Sequence, residues 1–168
     1  MILNKVYIFL SILLLSGYTF AQENYLNIDA AHFEANEKKM SMVFKGDVKM
    51  TQNKDILSCQ VLQINTKISD KDSKKQVPKD FNATGDVLLE VHTNESILKA
   101  QGDVILYYPN EQKYIIIGNG YLEDLKDGKK LTAHKIYIDA KTGHTKIDGD
   151  TNKPINFRIK LSDMNNNK

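Results

Sequence analysis

The chain has 168 residues, of which 41% are hydrophobic and 26% are charged, and its formal net charge is +2. A charge this close to balance argues against a nucleic-acid-binding protein, which needs a basic face and usually a basic excess. The length suits a single domain. The single cysteine, Cys59, cannot form an internal disulfide. Because Cys59 lies in the apolar-rich run that begins at Ile56, we expect a buried and unreactive thiol.

The N-terminus has the features of an export leader. Lys5 supplies a short positive region, Val6–Leu15 is an apolar run, and Thr19-Phe20-Ala21 ends in a small residue before Gln22. This order of features predicts a cleavable signal peptide over residues 1–21. The alternative is a retained membrane anchor, although the run falls short of the roughly 20 apolar residues that a spanning helix needs. We therefore expect an exported domain over 22–163 and a frayed tail over 164–168.

After the leader, the sequence predicts β-structure throughout. Short runs rich in Val, Ile, Tyr, Phe and Thr alternate with Gly, Asn, Asp and Lys, which is typical of an all-β sandwich or barrel. The segment Ala31–Lys39 could form a helical turn, but a strand and turn are favoured. The charged segment 69–80 predicts a solvent-exposed loop. The candidate strands are Tyr25–Ala35, Met40–Lys45, Asp47–Gln52, Asp55–Ser58, Gln60–Thr66, Phe81–Thr84, Val87–His92, Ser96–Gln101, Val104–Tyr108, Lys113–Ile117, Tyr121–Leu125, Lys129–Ala133, Lys135–Asp139, His144–Ile147 and Ile155–Ile159.

A repeated glycine motif lies between many of these strands. Gly-Asp-Val occurs at Gly46–Val48, Gly85–Val87 and Gly102–Val104, and Gly-Asn-Gly at Gly118–Gly120 holds the next equivalent place. A glycine inside a strand marks a bulge, a bend or a close backbone approach. A short repeat of this kind indicates one structural unit used several times. Each unit therefore reads as a strand, a glycine corner and a second strand.

Alternate residues on either side of each glycine are almost all apolar. Because successive side chains of a strand point to opposite faces, both arms of each unit turn the same apolar face inward. The repeated unit then predicts a long sheet that wraps into a folded-over sandwich, or jelly roll, with an apolar interior. The predicted interior lining comprises Met42, Phe44, Val48, Met50, Phe81, Val87, Leu89, Val91, Leu98, Val104, Leu106, Ile116 and Leu122.

No catalytic or cofactor motif is recognisable in the sequence. It has no Gly-x-Ser-x-Gly elbow, no His-Glu-x-x-His and no phosphate-binding glycine loop before a helix. The histidines have no metal-ligand spacing. Calcium is an alternative suggested by the Gly-Asp pairs, but each corner carries one carboxylate where a calcium site needs several. We expect neither a cofactor nor a metal, and the apolar face is the main candidate for function.

The motifs, taken in order, resemble the OstA-like domain of lipopolysaccharide-transport proteins. The resemblance covers almost all of the chain after the leader, and the charged segment 69–80 is a departure from it. The motifs that carry it are Ile28–Ala35 (IDAAHFEA), Phe44–Met50 (FKGDVKM), Ala83–Leu89 (ATGDVLL), Ala100–Leu106 (AQGDVIL), Ile117–Leu122 (IGNGYL) and Leu131–Ile138 (LTAHKIYI).

The resemblance implies a function as well as a fold. It implies an open antiparallel β-jelly roll that binds the acyl chains of lipid A in its interior and associates head to tail with itself. It also implies LptC-like inner-membrane and LptD-like outer-membrane partners, which form a bridge across the periplasm. The cleavable leader favours the soluble LptA type over the membrane-anchored LptC type, which stays an alternative. An enzyme acting on envelope glycans is a third hypothesis, for which the sequence offers no catalytic residue.

Overall fold

The computed structural model describes residues 25–93, 96–142, 144–150, 152 and 154–159. The predicted leader and tail lie outside these residues. The described chain consists of strands and connecting turns, without helices, so the all-β prediction is confirmed. No helix suited to crossing a membrane occurs in this part of the chain. The strands are β1 (Leu26–Asp29), β2 (His32–Asn36), β3 (Ser41–Gln52), β4 (Asp55–Ile68), β5 (Gln76–His92), β6 (Ile97–Tyr108), β7 (Lys113–Asp124), β8 (Lys129–Asp139), β9 (His144–Asp148) and β10 (Asn156–Arg158).

The ten strands form one antiparallel sheet whose order follows the chain. The six long strands, β3 to β8, pair with their neighbours in sequence. At one end of the sheet, β1 and β2 both pair with β3, and at the other end β9 and β10 both pair with β8. The sheet has not closed on itself among the described strands, so both ends have edges.

Each long strand bends once and thereby contributes to two layers. The register of every pairing between β3 and β8 shifts at the bend. The predicted pairs of short strands, such as Met40–Lys45 and Asp47–Gln52, are therefore the two arms of one strand. The first layer consists of β2, residues 41–45, 61–68, 76–84, 104–108, 113–117 and 135–139, and β9. The second layer consists of β1, residues 48–52, 55–59, 87–92, 97–102, 120–124 and 129–133, and β10.

Two kinds of bend alternate across the sheet. In β3, β5 and β7 the bend is a pair of residues with positive φ, such as Gly85 at +80° and Asp86 at +49°. Inward-facing positions keep the same parity across these bends. The bends of β4, β6 and β8 have no positive φ in this part of the chain, and the inward-facing positions shift by one residue. Gly102 lies in β6, so its Gly-Asp-Val sequence does not form the same corner as the other two.

Two predicted segments differ from the structure by more than a residue or two at their ends. The loop predicted over 69–80 ends at Lys75, whose carbonyl accepts a hydrogen bond from the Ser69 amide at 2.8 Å. Residues 76–80 belong to β5 and pair with the end of β4, and an irregular register beside Thr66 accommodates Pro78. The single strand predicted over Tyr25–Ala35 is two strands, because β1 and β2 pair with different arms of β3.

Candidate functional site

The space between the two layers is the candidate site. The deepest side chains, Leu62, Val87, Ile116 and Ile136, are each 0% exposed, and no charged or polar residue of the described chain is classed as buried. Of the predicted lining, five residues are buried and five more are half-buried against the same core. The structure places on the inner face Met42, Phe44, Val48, Met50, Phe81, Val87, Leu89, Val91, Ile116 and Leu122. Leu98 also faces inward, at the wall of a cavity.

The prediction that Val104 and Leu106 line the interior is wrong. Ile105, which lies between them, is 2% exposed and pairs with Ala83 on one side and Ile116 on the other. Directly paired residues share a face of the sheet, so Ile105 faces inward and its two neighbours face outward. The cause is the bend of β6, where the pairing register shifts between Gln101 and Val104.

The sequence prediction also missed inward-facing residues of β4 and β8. Leu57 and Leu62 of β4 are both buried although they are an odd number of residues apart, as are Ala133 and Ile136 of β8. A count of every second residue along the whole strand cannot include both members of either pair. Each arm does alternate on its own, so a separate count for each arm would have found them.

A narrow cavity, which we call the central cavity, lies in the middle of the interior. Its volume is about 30 Å³, and it is lined by residues of both layers, which leaves room for about one water molecule. The rings of Tyr107 and Tyr114 are stacked at its wall, with centroids 4.4 Å apart, and Phe81 packs on Tyr107 at 5.8 Å. Burial, and then the neighbouring Tyr107, raise the pKa of Tyr114. Asp55 of the second layer lines the same cavity.

A much larger cavity lies at the β8 end of the interior. Its volume is about 420 Å³, which is within the range of small-molecule pockets. Leu98, Leu122 and Leu131 of the second layer form one wall. Ile138 and Ile147 of the first layer form the opposite wall. We call this space the C-terminal cavity. Phe157 of the edge strand β10 is also part of its lining and is 52% exposed, which shows that the cavity reaches the edge of the sheet.

The outer face of the second layer is polar and charged. Glu90, Lys99, Glu123 and Lys130 lie side by side on consecutive strands. The Lys99 ammonium is 3.6 Å from Glu90, and that of Lys130 is 2.9 Å from Glu123. Hydrogen bonds from Tyr121 and then from Lys130 lower the pKa of Glu123. In this layer, apolar side chains for binding are therefore concentrated on the inner face.

No group of residues suited to holding a metal ion occurs in the described part of the chain. The interior offers apolar surface, with acids and bases at its margins. The arrangement can shelter hydrocarbon from water, and burial of apolar surface is favourable by about 25 cal/mol per Å².

Comparison with known proteins identifies the family. The family model described as LptA/(LptD N-terminal domain) LPS transport protein matches residues 27–144. The chain belongs to this family. The resemblance drawn from the sequence motifs is therefore confirmed. No curated protein matches the chain by sequence.

A solved structure shows the same fold as this LptA/LptD-family chain. It is LptH from Pseudomonas aeruginosa, described as the LptA homologous periplasmic component of the conserved lipopolysaccharide transport device. The two superpose with a TM-score of 0.69 at 17% sequence identity, over 81% of this chain and 95% of that one. This confirms the folded-over sheet predicted from the glycine repeat and the open antiparallel jelly roll implied by the family resemblance.

The interior of this family member contains one thiol. Cys59 is 4% exposed, so its predicted burial is confirmed. Burial raises the pKa of the Cys59 thiol to about 11, and hydrogen bonds with the backbone of Thr84 and Val61 oppose the shift. The neutral thiol is the inert form, which agrees with a structural role.

The Cys59 thiol should make the folded protein less stable in alkali. A pKa raised on folding contributes stability that is complete below the unfolded pKa and is lost as the pH rises through the folded one. Between about pH 8.5 and 10.5 we expect the free energy of unfolding to fall by about 2 kcal/mol from this group. Urea unfolding of the wild type and Cys59→Ala at both pH values measures it. A loss equally large in Cys59→Ala would contradict the assignment.

Proposed function

We propose that the chain is a periplasmic lipopolysaccharide carrier of the LptA type, which holds lipid A acyl chains between its two layers. The observation that carries the proposal is the family match over 27–144, joined to an interior that is apolar on both walls. The periplasmic location is supported by the predicted leader and by the described location of LptH. The chain itself needs no chemistry to move the lipid.

As it passes through the interior, the lipid is proposed to contact inward-facing residues of both layers. In the corrected wall, Ile105 and Tyr107 replace Val104 and Leu106. The wall also gains residues from the strands that the repeat did not mark, including Leu57, Leu131 and Ile138. A sugar and phosphate headgroup stays in water, since no polar or charged residue among those described is buried in the interior.

Depletion of the protein in the living cell tests this function. A carrier between the membranes is required after lipopolysaccharide leaves the inner membrane. We therefore expect newly made lipopolysaccharide to accumulate at the inner membrane when the protein is depleted, as measured by pulse labelling and membrane fractionation. An unchanged distribution of labelled lipopolysaccharide would contradict the proposal.

We also propose that copies of the chain associate head to tail and that the same edges meet LptC-like and LptD-like partners. One end of the sheet exposes β1 and β2 and the other exposes β9 and β10. Unpaired edge strands present backbone groups that can pair with another chain. Such pairing would join the interiors of successive copies. Sedimentation equilibrium should show a mass that increases with protein concentration, and a constant monomer mass would contradict self-association.

A further inference from the structure

The interior is divided into two unequal spaces. The central cavity, at about 30 Å³, has no room for a hydrocarbon chain. The C-terminal cavity is more than ten times larger, at about 420 Å³. Both lie between the same two layers, so the difference comes from how closely the layers approach each other along the sheet.

The two layers make close contacts beside the bends of β6 to β8. Ile116 of the first layer reaches so close to Gly102 of the second that a Cβ at Gly102 would lie 2.7 Å from it. A Cβ at Gly120 would lie 2.8 Å from the Ala133 carbonyl oxygen and 3.3 Å from Ile136. Large residues of one layer thus fill the space above glycines of the other. Two residues beyond Ile105 and Ile116, the stacked rings of Tyr107 and Tyr114 form part of the wall of the central cavity.

The layers separate at the β8 end. There β9 and β10 pair with different arms of β8. Ile147 of β9 and Phe157 of β10 therefore lie on opposite sides of the C-terminal cavity, which they both line.

A third cavity of about 390 Å³ lies at the tips of β6 to β9. Charged residues line both large cavities: Glu111, Lys113, Asp139 and Lys146 in the third, and Asp124, Lys129 and Lys130 in the C-terminal cavity. The C-terminal cavity suits hydrocarbon better, because Leu, Ile and Phe make up six of its ten lining residues, whereas the third cavity has two isoleucines and three tyrosines.

We propose that an acyl chain of the bound lipid rests in the C-terminal cavity and that the central part of the interior is closed to it until the layers move apart. This proposal rests on the proposed function and specifies where along the interior the lipid is held. Passage of a chain through the centre then requires separation of the Tyr107–Tyr114 pair from the second layer. The two ends of the sheet are accordingly not equivalent in lipid binding.

Single tryptophans test the position of the chain. The wild-type chain has no Trp, and it has an exposed phenylalanine at each end of the sheet: Phe157 at 52% and Phe33 at 60%. The two are separated by seven strand intervals, roughly 30 Å at the usual strand spacing. Phe157→Trp and Phe33→Trp are thus matched donors for energy transfer to dansylundecanoic acid, a fluorescent single-chain amphiphile.

We expect strong energy transfer to the bound probe from Phe157→Trp and at least about threefold weaker transfer from Phe33→Trp, because the probe lies at the Phe157 end. Equal transfer from both positions, or stronger transfer from Phe33→Trp, would overturn the proposal while leaving lipid binding intact. Absence of probe binding to the wild-type protein would overturn the proposed function as well.

A second experiment measures how the affinity for the probe changes when a bulky side chain fills the cavity. Leu122→Trp places a larger side chain inside the C-terminal cavity, whereas Tyr121→Trp changes its outward-facing neighbour and Met50→Trp adds bulk at the central cavity. We expect affinity for the probe to fall about tenfold in Leu122→Trp and to change less than about twofold in the other two, because only the first fills the site. Circular dichroism establishes that each variant is folded. A larger loss in Met50→Trp than in Leu122→Trp would contradict the proposal.

Discussion

Gly85→Ala is expected to lower the free energy of unfolding by about 3 kcal/mol, a substantial part of the 5–15 kcal/mol typical of a domain. Two effects combine at this bend. Gly85 has a φ of +80°, and a Cβ there would lie 2.8 Å from the Cβ of Gln60 on the neighbouring strand. A left-handed conformation alone costs a residue with a side chain roughly 1–2 kcal/mol. The clash adds to it because Gln60 is held by the sheet.

Gly128→Ala is the matched control. Gly128 also has a positive φ, +62°, but no atom lies within 4 Å of its added Cβ. We expect a loss of about 1 kcal/mol from backbone strain alone. Urea unfolding followed by circular dichroism gives both values. If Gly85→Ala were no more costly than Gly128→Ala, close approach at the bend would not be the reason for the glycine.

Ile105→Asp is expected to prevent stable folding, whereas Leu106→Asp should be tolerated. Ile105 is 2% exposed among apolar side chains of both layers. An unpaired carboxylate there would cost about 4 kcal/mol or more. Leu106 lies on the outer face beside Asn82 and Ile115, where loss of cross-strand contacts costs about 1 kcal/mol.

The two adjacent substitutions decide the direction of the side chains in β6. Thermal unfolding by circular dichroism, together with the soluble yield of each variant, is the measurement. A stable Ile105→Asp beside an unfolded Leu106→Asp would restore the uniform alternation that the Gly102 motif suggests, and would contradict the bend described for β6.

The part of the fold that could be predicted from sequence is the part marked by glycine. Gly46 and Gly85 have positive φ, and alternation continues across them, so Val48, Val87 and Leu89 were placed correctly on the inner face. Gly102 is followed by the same Asp-Val but lies in β6, whose bend has no residue of positive φ among those described. Its bend depends on pairing with β5 and β7, which a local pattern does not contain.

The shape of the interior could not be predicted from the sequence, for a related reason. Leu98 and Leu122 were predicted to line it, but the cavity they share is completed by Ile147 and Phe157. These residues lie on short strands that pair with opposite arms of β8. Cavity volume depends on the distance between the two layers, which the apolar character of one strand does not determine.

Site-specific photo-crosslinking in growing cells tests the central claim, that the interior of the folded sheet carries lipopolysaccharide. A photoreactive phenylalanine at Leu122 would face the interior, and one at the adjacent Tyr121 would face outward. Leu106 supplies a second outward control on the first layer. We predict lipopolysaccharide adducts from Leu122 and none above background from Tyr121 or Leu106. Equal adducts from all three positions would contradict an interior route for the lipid.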